Sequence, residues 1–194
     1  MSDEAFRSLI RRVRAGDQQA TEEVVRLYEA EIRREVRLRL KDPNVRRVFD
    51  SMDVCQSVLA SFFLRAASGQ YELDGPHQLL RLLVRMAQNK VVNTVRKQRS
   101  SRRSWRGAAP LPLDGDAQGA IAAPGPTPSQ EVSLKELKHE FHRRLSADER
   151  RLAAARADGQ SWAQIASQTG DRPEALRKRL TRAADRVCAA LGVD

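Results

Sequence analysis

From Trp105 to Pro128 the sequence loses its apolar periodicity and becomes a run of Gly, Ala and Pro with Asp114 and Asp116, which cannot bury a core. On either side, apolar residues return at every third or fourth position. The chain therefore reads as two small helical domains, residues 1–104 and 131–194, with a flexible linker at 105–130. A linker of about 24 residues has an r.m.s. reach near 25–30 Å and stretches to roughly 80 Å, so the two domains can hold sites far apart. Ala, Leu, Arg, Glu and Gln dominate and aromatics make up 5%, which favours an all-α fold.

The first helix is predicted from Asp3 to Ala15, with Phe6, Leu9, Ile10 and Val13 on one face and Gly16-Asp17 as stop and N-cap. The second carries Ala20, Val24, Leu27, Tyr28, Ile32, Val36 and Leu40 and stops near Asp42-Pro43. A third runs from about Asp50 to Ala67. Pro76 opens the fourth and longest, with Leu79, Leu80, Leu82, Leu83, Met86, Ala87, Val91 and Val95. Beyond the linker, Ser133/Glu136, Ser146/Glu149 and Ser161/Gln164 have capping-box spacing and mark three helix starts, and Pro173 opens a last helix reaching about Leu191.

Charge narrows the partners. The chain has 35 Lys plus Arg against 25 Asp plus Glu, a formal net charge of +10, and the excess is mostly arginine. Residues 1–106 hold 22 basic and 13 acidic side chains, so the front half carries nearly all of it. A polyanion is the natural partner. No apolar run approaches the roughly 20 residues of a membrane span and no signal-peptide core is evident, so a cytoplasmic protein without membrane insertion is expected. Cys55 and Cys188 lie far apart within helical patterns and read as reduced thiols.

The strongest local pattern lies near the C-terminus. Gly159-Gln160-Ser161-Trp162-Ala163-Gln164-Ile165-Ala166 supplies small residues for close helix packing, and Thr169-Gly170-Asp171-Arg172 supplies a tight turn. Together with the last helix this is helix-turn-helix spacing. On that last helix Leu176, Leu180, Ala183, Val187 and Leu191 form an apolar stripe. Arg177, Lys178, Thr181 and Arg182 fall on the other side, with Arg172 at the mouth, as suits base edges and phosphates. A solvated charged face on an ordinary helical hairpin is the plainer alternative, but six cations between Arg172 and Arg186 against Glu174 and Asp185 favour DNA.

Two further stripes lie in the front half. Asp50, Asp53 and Gln56 recur every third residue opposite Val54 and Val58. Asn89, Asn93, Arg96 and Ser100 align on the fourth helix, flanked by Lys90 and Lys97, which suits reading bases while holding a phosphate backbone. Helix capping accounts for Asp50 but less readily for Gln56, while the stripe on the fourth helix, taken alone, reads equally well as an ordinary solvated face.

Asp50-Ser51-Met52-Asp53-Val54-Cys55-Gln56 resembles the Asp-x-x-Asp-Leu-Val-Gln core of region 2.2 in the extracytoplasmic-function (ECF) branch of the bacterial sigma-70 family. Leu82-Leu83-Val84-Arg85-Met86-Ala87-Gln88-Asn89, followed by Asn93 and Arg96, resembles regions 2.3 and 2.4. Leu145 to Ala183, including Leu176-Arg177-Lys178-Arg179-Leu180, resembles region 4. The ordered set covers nearly the whole chain outside the linker. Leu82 stands where that family usually has Trp, Asn93 where it often has Asp, Gln164 where Glu is common, Ser146 where a Pro follows the leucine, and Ser57 in place of an acidic neighbour of Gln56.

The resemblance implies a sigma factor reduced to a region 2 helical bundle and a region 4 helix-turn-helix, with core RNA polymerase and promoter DNA as partners and an anti-sigma factor of the kind usual in the branch. It implies that Asp50, Asp53 and Gln56 dock on polymerase. Asn89, Lys90, Asn93, Arg96 and Lys97, with Tyr71 in the preceding loop, would meet the minus-ten element. Arg172, Arg177, Lys178, Arg179, Thr181 and Arg182 would meet the minus-thirty-five element. No catalysis, cofactor or small-molecule substrate is expected. His139 and His142 with Cys188 or Asp148 lack the spacing of a complete metal-ligand set. The serious alternative is a stand-alone helix-turn-helix regulator, which would hold duplex DNA alone.

Overall fold

A computed structural model describes residues 1–39, 51–104 and 128–193. Among them the chain is all helical: α1 (Asp3–Ala15), α2 (Gln18–Arg39), α3 (Ser51–Ala67), α4 (Pro76–Ser104), α5 (Pro128–Arg144), α6 (Ala147–Ala157), α7 (Trp162–Thr169) and α8 (Pro173–Ala190).

Local chemistry sets most of the boundaries. Ser2 caps α1 by accepting from the Ala5 N–H at 3.3 Å, and the Gly16 N–H closes its far end on Val13. Asp17 then serves both helices: one carboxylate oxygen accepts from the Ala20 N–H at 3.2 Å and the other from Arg12 Nε at 2.7 Å. Ser146/Glu149 and Ser161/Gln164 both form reciprocal capping boxes. Ser133 does not start a helix. Pro128, whose fixed φ and missing donor suit the first turn, opens α5 upstream, so Ser133 falls inside it and the helix takes in 128–130 from the expected linker. The expected stop at Asp42-Pro43, the residues Leu40 and Asp50, and most of the linker lie outside the described residues.

The front core is built by α1 to α4. Phe6, Leu9, Ile10 and Val13 meet Ala20, Val24, Tyr28, Ile32 and Val36 of α2, the Phe62-Phe63 pair of α3, and Leu79, Leu83, Ala87 and Val91 of α4. Leu27, expected on the buried stripe of α2, is instead 45% exposed because it sits just off that arc. The back core gathers Phe141, Leu145, Leu152, Ile165, Leu176, Leu180, Ala183 and Val187, and it also includes Leu64 of α3. Helix α3 thus reaches both cores, and Leu134 of α5 packs against the front one in return.

Polar groups line this junction. The Arg65 guanidinium, 7% exposed, donates to Ser61 Oγ at 3.1 Å and to an Asp185 carboxylate oxygen of α8 at 2.5 Å. Arg156 of α6, 6% exposed, donates to the Gly69 carbonyl at 3.2 Å and to Glu72 at 3.0 Å, with its guanidinium over the Trp162 ring. Burial lowers the pKa of Arg156 from its ordinary value, and Glu72 opposes that shift.

Both cysteines are buried thiols outside any disulfide, and burial, reinforced by the Glu29 charge, pushes the Cys55 thiol up to about 12. At pH 8 neither thiol should react with Ellman's reagent within minutes in the native chain, and both should react once guanidinium is added. Rapid native labelling of Cys55 would contradict this packing.

Candidate nucleic-acid interface

The turn before α8 depends on Gly170. Its φ of +77° lies in the left-handed region, and its N–H donates to the Ala166 carbonyl at 2.9 Å. A Cβ there would meet nothing within 4 Å, so backbone conformation rather than space selects glycine. Thr169 Oγ1 donates to the Ile165 carbonyl at 3.1 Å and accepts from the Asp171 N–H at 3.4 Å, which steadies the turn. Pro173 then starts α8 with Arg172 extended before it.

Helix α8 buries Leu176, Leu180, Ala183, Ala184, Val187 and Cys188. Arg172, Arg177, Lys178, Arg179 and Arg182 are exposed, Thr181 is half-buried, and Leu191, expected in the buried stripe, is half-buried at the helix end. The cations differ in what engages them. Arg179 donates to Asp148 of α6 at 3.0 Å, and Arg186 donates to Glu149 at 2.8 Å. Those two tie α8 to its scaffold. Among the described residues Arg177 and Lys178 reach only Glu174, at 3.9 and 3.7 Å and with every partner mostly exposed, contacts that a phosphate can displace at little cost. Hydrogen bonds from Arg151 and then Arg179 hold the Asp148 carboxyl below its ordinary pKa. Burial would raise Glu149, but the Ser146 N–H and Arg186 outweigh it and leave it lowered.

In the front half, Asn89, Asn93 and Arg96 are exposed along α4, as the spacing predicts. Lys90 is half-buried and its Nζ donates to the Gly192 carbonyl at 3.5 Å. Lys97 lies within α4, but its side chain is outside the described residues. Tyr71 is half-buried. Its ring stacks on Phe62 at 5.8 Å and 11°, its hydroxyl reaches Met86 Sδ at 3.7 Å, and its carbonyl accepts from Arg14 at 2.5 Å. One face of that ring is therefore taken by the core. On α3, Asp53 and Gln56 are exposed while Val54 and Val58 behind them are buried, and the neighbouring Ser57 Oγ donates to the Val193 carbonyl at 3.1 Å.

Asn89, Lys90 and Asn93 line a cleft of about 270 Å³ together with Arg65, Tyr71, Asp185 and Val193. Sequence reasoning missed the junction arginines. Arg65 could have been noticed, since it interrupts the apolar run Phe62-Phe63-Leu64-Arg65-Ala66. Arg156 gives no such signal. His142 stands edge-on to the Phe141 ring at 5.9 Å, and burial with the Lys138 charge lowers its pKa. Among the described residues no group of three or more His, Cys, Asp or Glu is placed to hold a metal ion.

One chain thus presents a turn fixed by glycine, a helix with exposed cations, and an exposed amide stripe on a second helix. Comparison with family models identifies the chain, because the ECF sigma factor family matches residues 3–191. The chain belongs to the ECF sigma factor family. Neither the curated proteins nor the solved structures give a match. An ECF sigma factor is a non-enzymatic subunit that acts in transcription initiation with RNA polymerase at promoters, which sets aside the stand-alone regulator. Among the described residues no helix is long and apolar enough to cross a membrane.

Gly170→Ala should cost about 1–2 kcal/mol through left-handed strain, read as a lower urea midpoint for the C-terminal half. An unchanged midpoint would show that the turn does not need glycine.

Proposed function

We propose that this sigma factor divides initiation among three surfaces: Asp53 and Gln56, with Asp50, dock on core polymerase; the Asn89, Lys90, Asn93, Arg96 and Lys97 face of α4, with Tyr71, takes the minus-ten strand; and α8 takes the minus-thirty-five duplex. The two domains do this work from either side of the linker, in the cytoplasm. The observation that carries the reading is the division of labour on α8. Arg179 and Arg186 serve the scaffold, whereas among the described residues Arg177 and Lys178 hold only long, exposed contacts to Glu174. With Arg172 and Arg182 they give four exposed cations beside a helix N-terminus, where amide donors also favour phosphate. Thr181, half-buried between them, contributes through its hydroxyl. Arg179 acts on DNA, in this reading, chiefly by fixing the helix against α6.

The α4 stripe supports strand reading by the same logic, since two exposed amides one turn apart can pair with base edges while neighbouring cations hold the backbone. On α3 the docking pair projects from a helix whose other faces are packed, so a partner meets a preformed surface. The resemblance to the ECF branch also supports an anti-sigma protein as a competing partner.

Removing either Arg177 or Lys178 by substitution to Ala should weaken duplex promoter binding and reduce the log–log salt slope by about 0.9 per lost phosphate contact. A slope identical to wild type would take that residue off the phosphates. Asp53→Ala with Gln56→Ala should lower affinity for core polymerase at least about tenfold, roughly 1.4 kcal/mol, with the unfolding transition unchanged. Undiminished competition against wild type for limiting core would exclude α3 as the docking surface.

A further inference from the structure

Helix α1 lies along the loop that carries Tyr71. From Gln70 to Asp74 the chain is neither helix nor strand, and this stretch joins α3 to α4. Arg14, in the last turn of α1 and 57 residues before Tyr71, donates to the Tyr71 carbonyl at 2.5 Å. At the opposite end of α1, an Asp3 carboxylate oxygen sits 3.5 Å from where a Cβ on Gly75 would stand. Asp3 and Arg14 are separated by about 16 Å of helix, and Tyr71 and Gly75 by at most about 14 Å of extended chain. The lengths match, so the loop runs antiparallel to α1 and touches it near both ends.

The anchor bears on Tyr71 more than on the core. Helix α1 is held in the bundle by Phe6, Leu9, Ile10 and Val13, all buried, whereas Arg14 is half-buried and packs no apolar group into the cluster. Burial lowers the Arg14 pKa from its ordinary value and the Glu72 charge opposes that, so the guanidinium remains a charged donor, the kind that makes the stronger bond. It fixes one backbone point of Tyr71. Two other helices fix the ring, which stacks on Phe62 of α3 at 5.8 Å and reaches Met86 Sδ of α4 through its hydroxyl at 3.7 Å. Tyr71 also lines the same cleft as Asn89 and Asn93. A carbonyl held by α1 therefore helps to decide where the ring stands relative to those amides. A ring that receives a base should be in place beforehand, since ordering it during capture costs affinity.

We propose that Arg14 is a positioning residue for strand capture: through the Tyr71 carbonyl it splints the α3–α4 loop along α1 and so sets the Tyr71 ring beside the amide stripe of α4. The proposal rests on the reading of Tyr71 and α4 as the minus-ten contact. It gives α1 a share in promoter opening with no DNA contact of its own.

The test compares three variants of the full chain: Arg14→Met, which keeps an apolar stem and removes the donor; Arg14→Lys, which restores a donor; and Arg11→Met, a matched charge loss at an exposed site on the same helix. The chain has two tyrosines, so fluorotyrosine labelling gives two fluorine resonances, with buried Tyr28 as an internal check on the fold. Arg14→Met should shift or broaden the Tyr71 resonance and leave that of Tyr28 in place, and Arg14→Lys should return it toward the wild-type position. Arg14→Gln repeats the comparison if Arg14→Met also moves Tyr28. In holoenzyme, permanganate reactivity of minus-ten thymines should develop roughly tenfold more slowly with Arg14→Met than with Arg11→Met, at unchanged core affinity, and should recover in part with Arg14→Lys. Because the effect runs through Tyr71, Arg14→Met should add little once Tyr71→Leu is present. An unmoved Tyr71 resonance, opening as fast as with Arg11→Met, no recovery with Lys, or full additivity with Tyr71→Leu would each overturn the positioning role. Tyr71→Leu by itself separates the causes. Slowed opening there leaves the Tyr71 reading standing whatever Arg14 does, whereas normal opening refutes the minus-ten role of Tyr71 and the positioning with it.

Discussion

The organisation of this chain turns on α3, a helix that is apolar on nearly every side. Val54, Val58, Leu59, Phe62, Phe63 and Ala66 are all buried, as an all-round hydrophobic helix must be. Helices α1, α2 and α4 cover most of it, and α5 and α8 meet the remainder. Leu64 would otherwise face water, and burying a leucine is worth about 1.5–3 kcal/mol. The first turns of α3, by contrast, leave Asp53 and Gln56 in solvent, so the helix that anchors the fold also presents the proposed docking pair on a rigid support.

Electrostatics explains why the more basic half need not hold the element proposed to read duplex DNA. The back half is nearly neutral by count, but neutrality on average does not mean neutrality on α8. Asp148 and Glu149 are engaged by Arg151, Arg179 and Arg186, leaving Arg172, Arg177, Lys178 and Arg182 as a local cationic field. Because both carboxyls titrate below their ordinary values in the folded chain, their contribution to stability is present at neutral pH and is lost as pH falls through those lowered values. The front half carries its excess as scattered arginines, two of them, Arg33 and Arg34, paired along α2 with Glu29 and Glu31. The junction buries one arginine from each half, each matched to a carboxylate of the opposite half.

Helix content and most helix limits were legible in the sequence because they follow from short-range rules. Gly16, Gly170, Pro76, Pro173 and the two capping boxes act within one turn of where they stand. Ser133 failed for an equally local reason, since Pro128 offered an earlier start. The exposed stripes were legible too, because periodicity says which side of a helix is apolar. What periodicity cannot say is which partner occupies a polar side chain. Arg179 and Arg182 look equivalent in sequence, yet only an α6 carboxylate placed by the fold engages Arg179. The stacking of Tyr71 on Phe62 and the closure around Arg65 and Arg156 are likewise contacts between residues far apart in sequence, set by packing rather than by local pattern.

The central claim is that these surfaces act together in directing polymerase to promoters. Transcription reconstituted from purified core polymerase, this chain and fragmented genomic DNA, with sequencing of the transcript 5′ ends, tests it most directly. The account predicts a limited set of start sites that appear only when the chain is added and that share two conserved upstream elements at fixed spacing. Start sites unchanged by the chain, or scattered without shared upstream sequence, would contradict it.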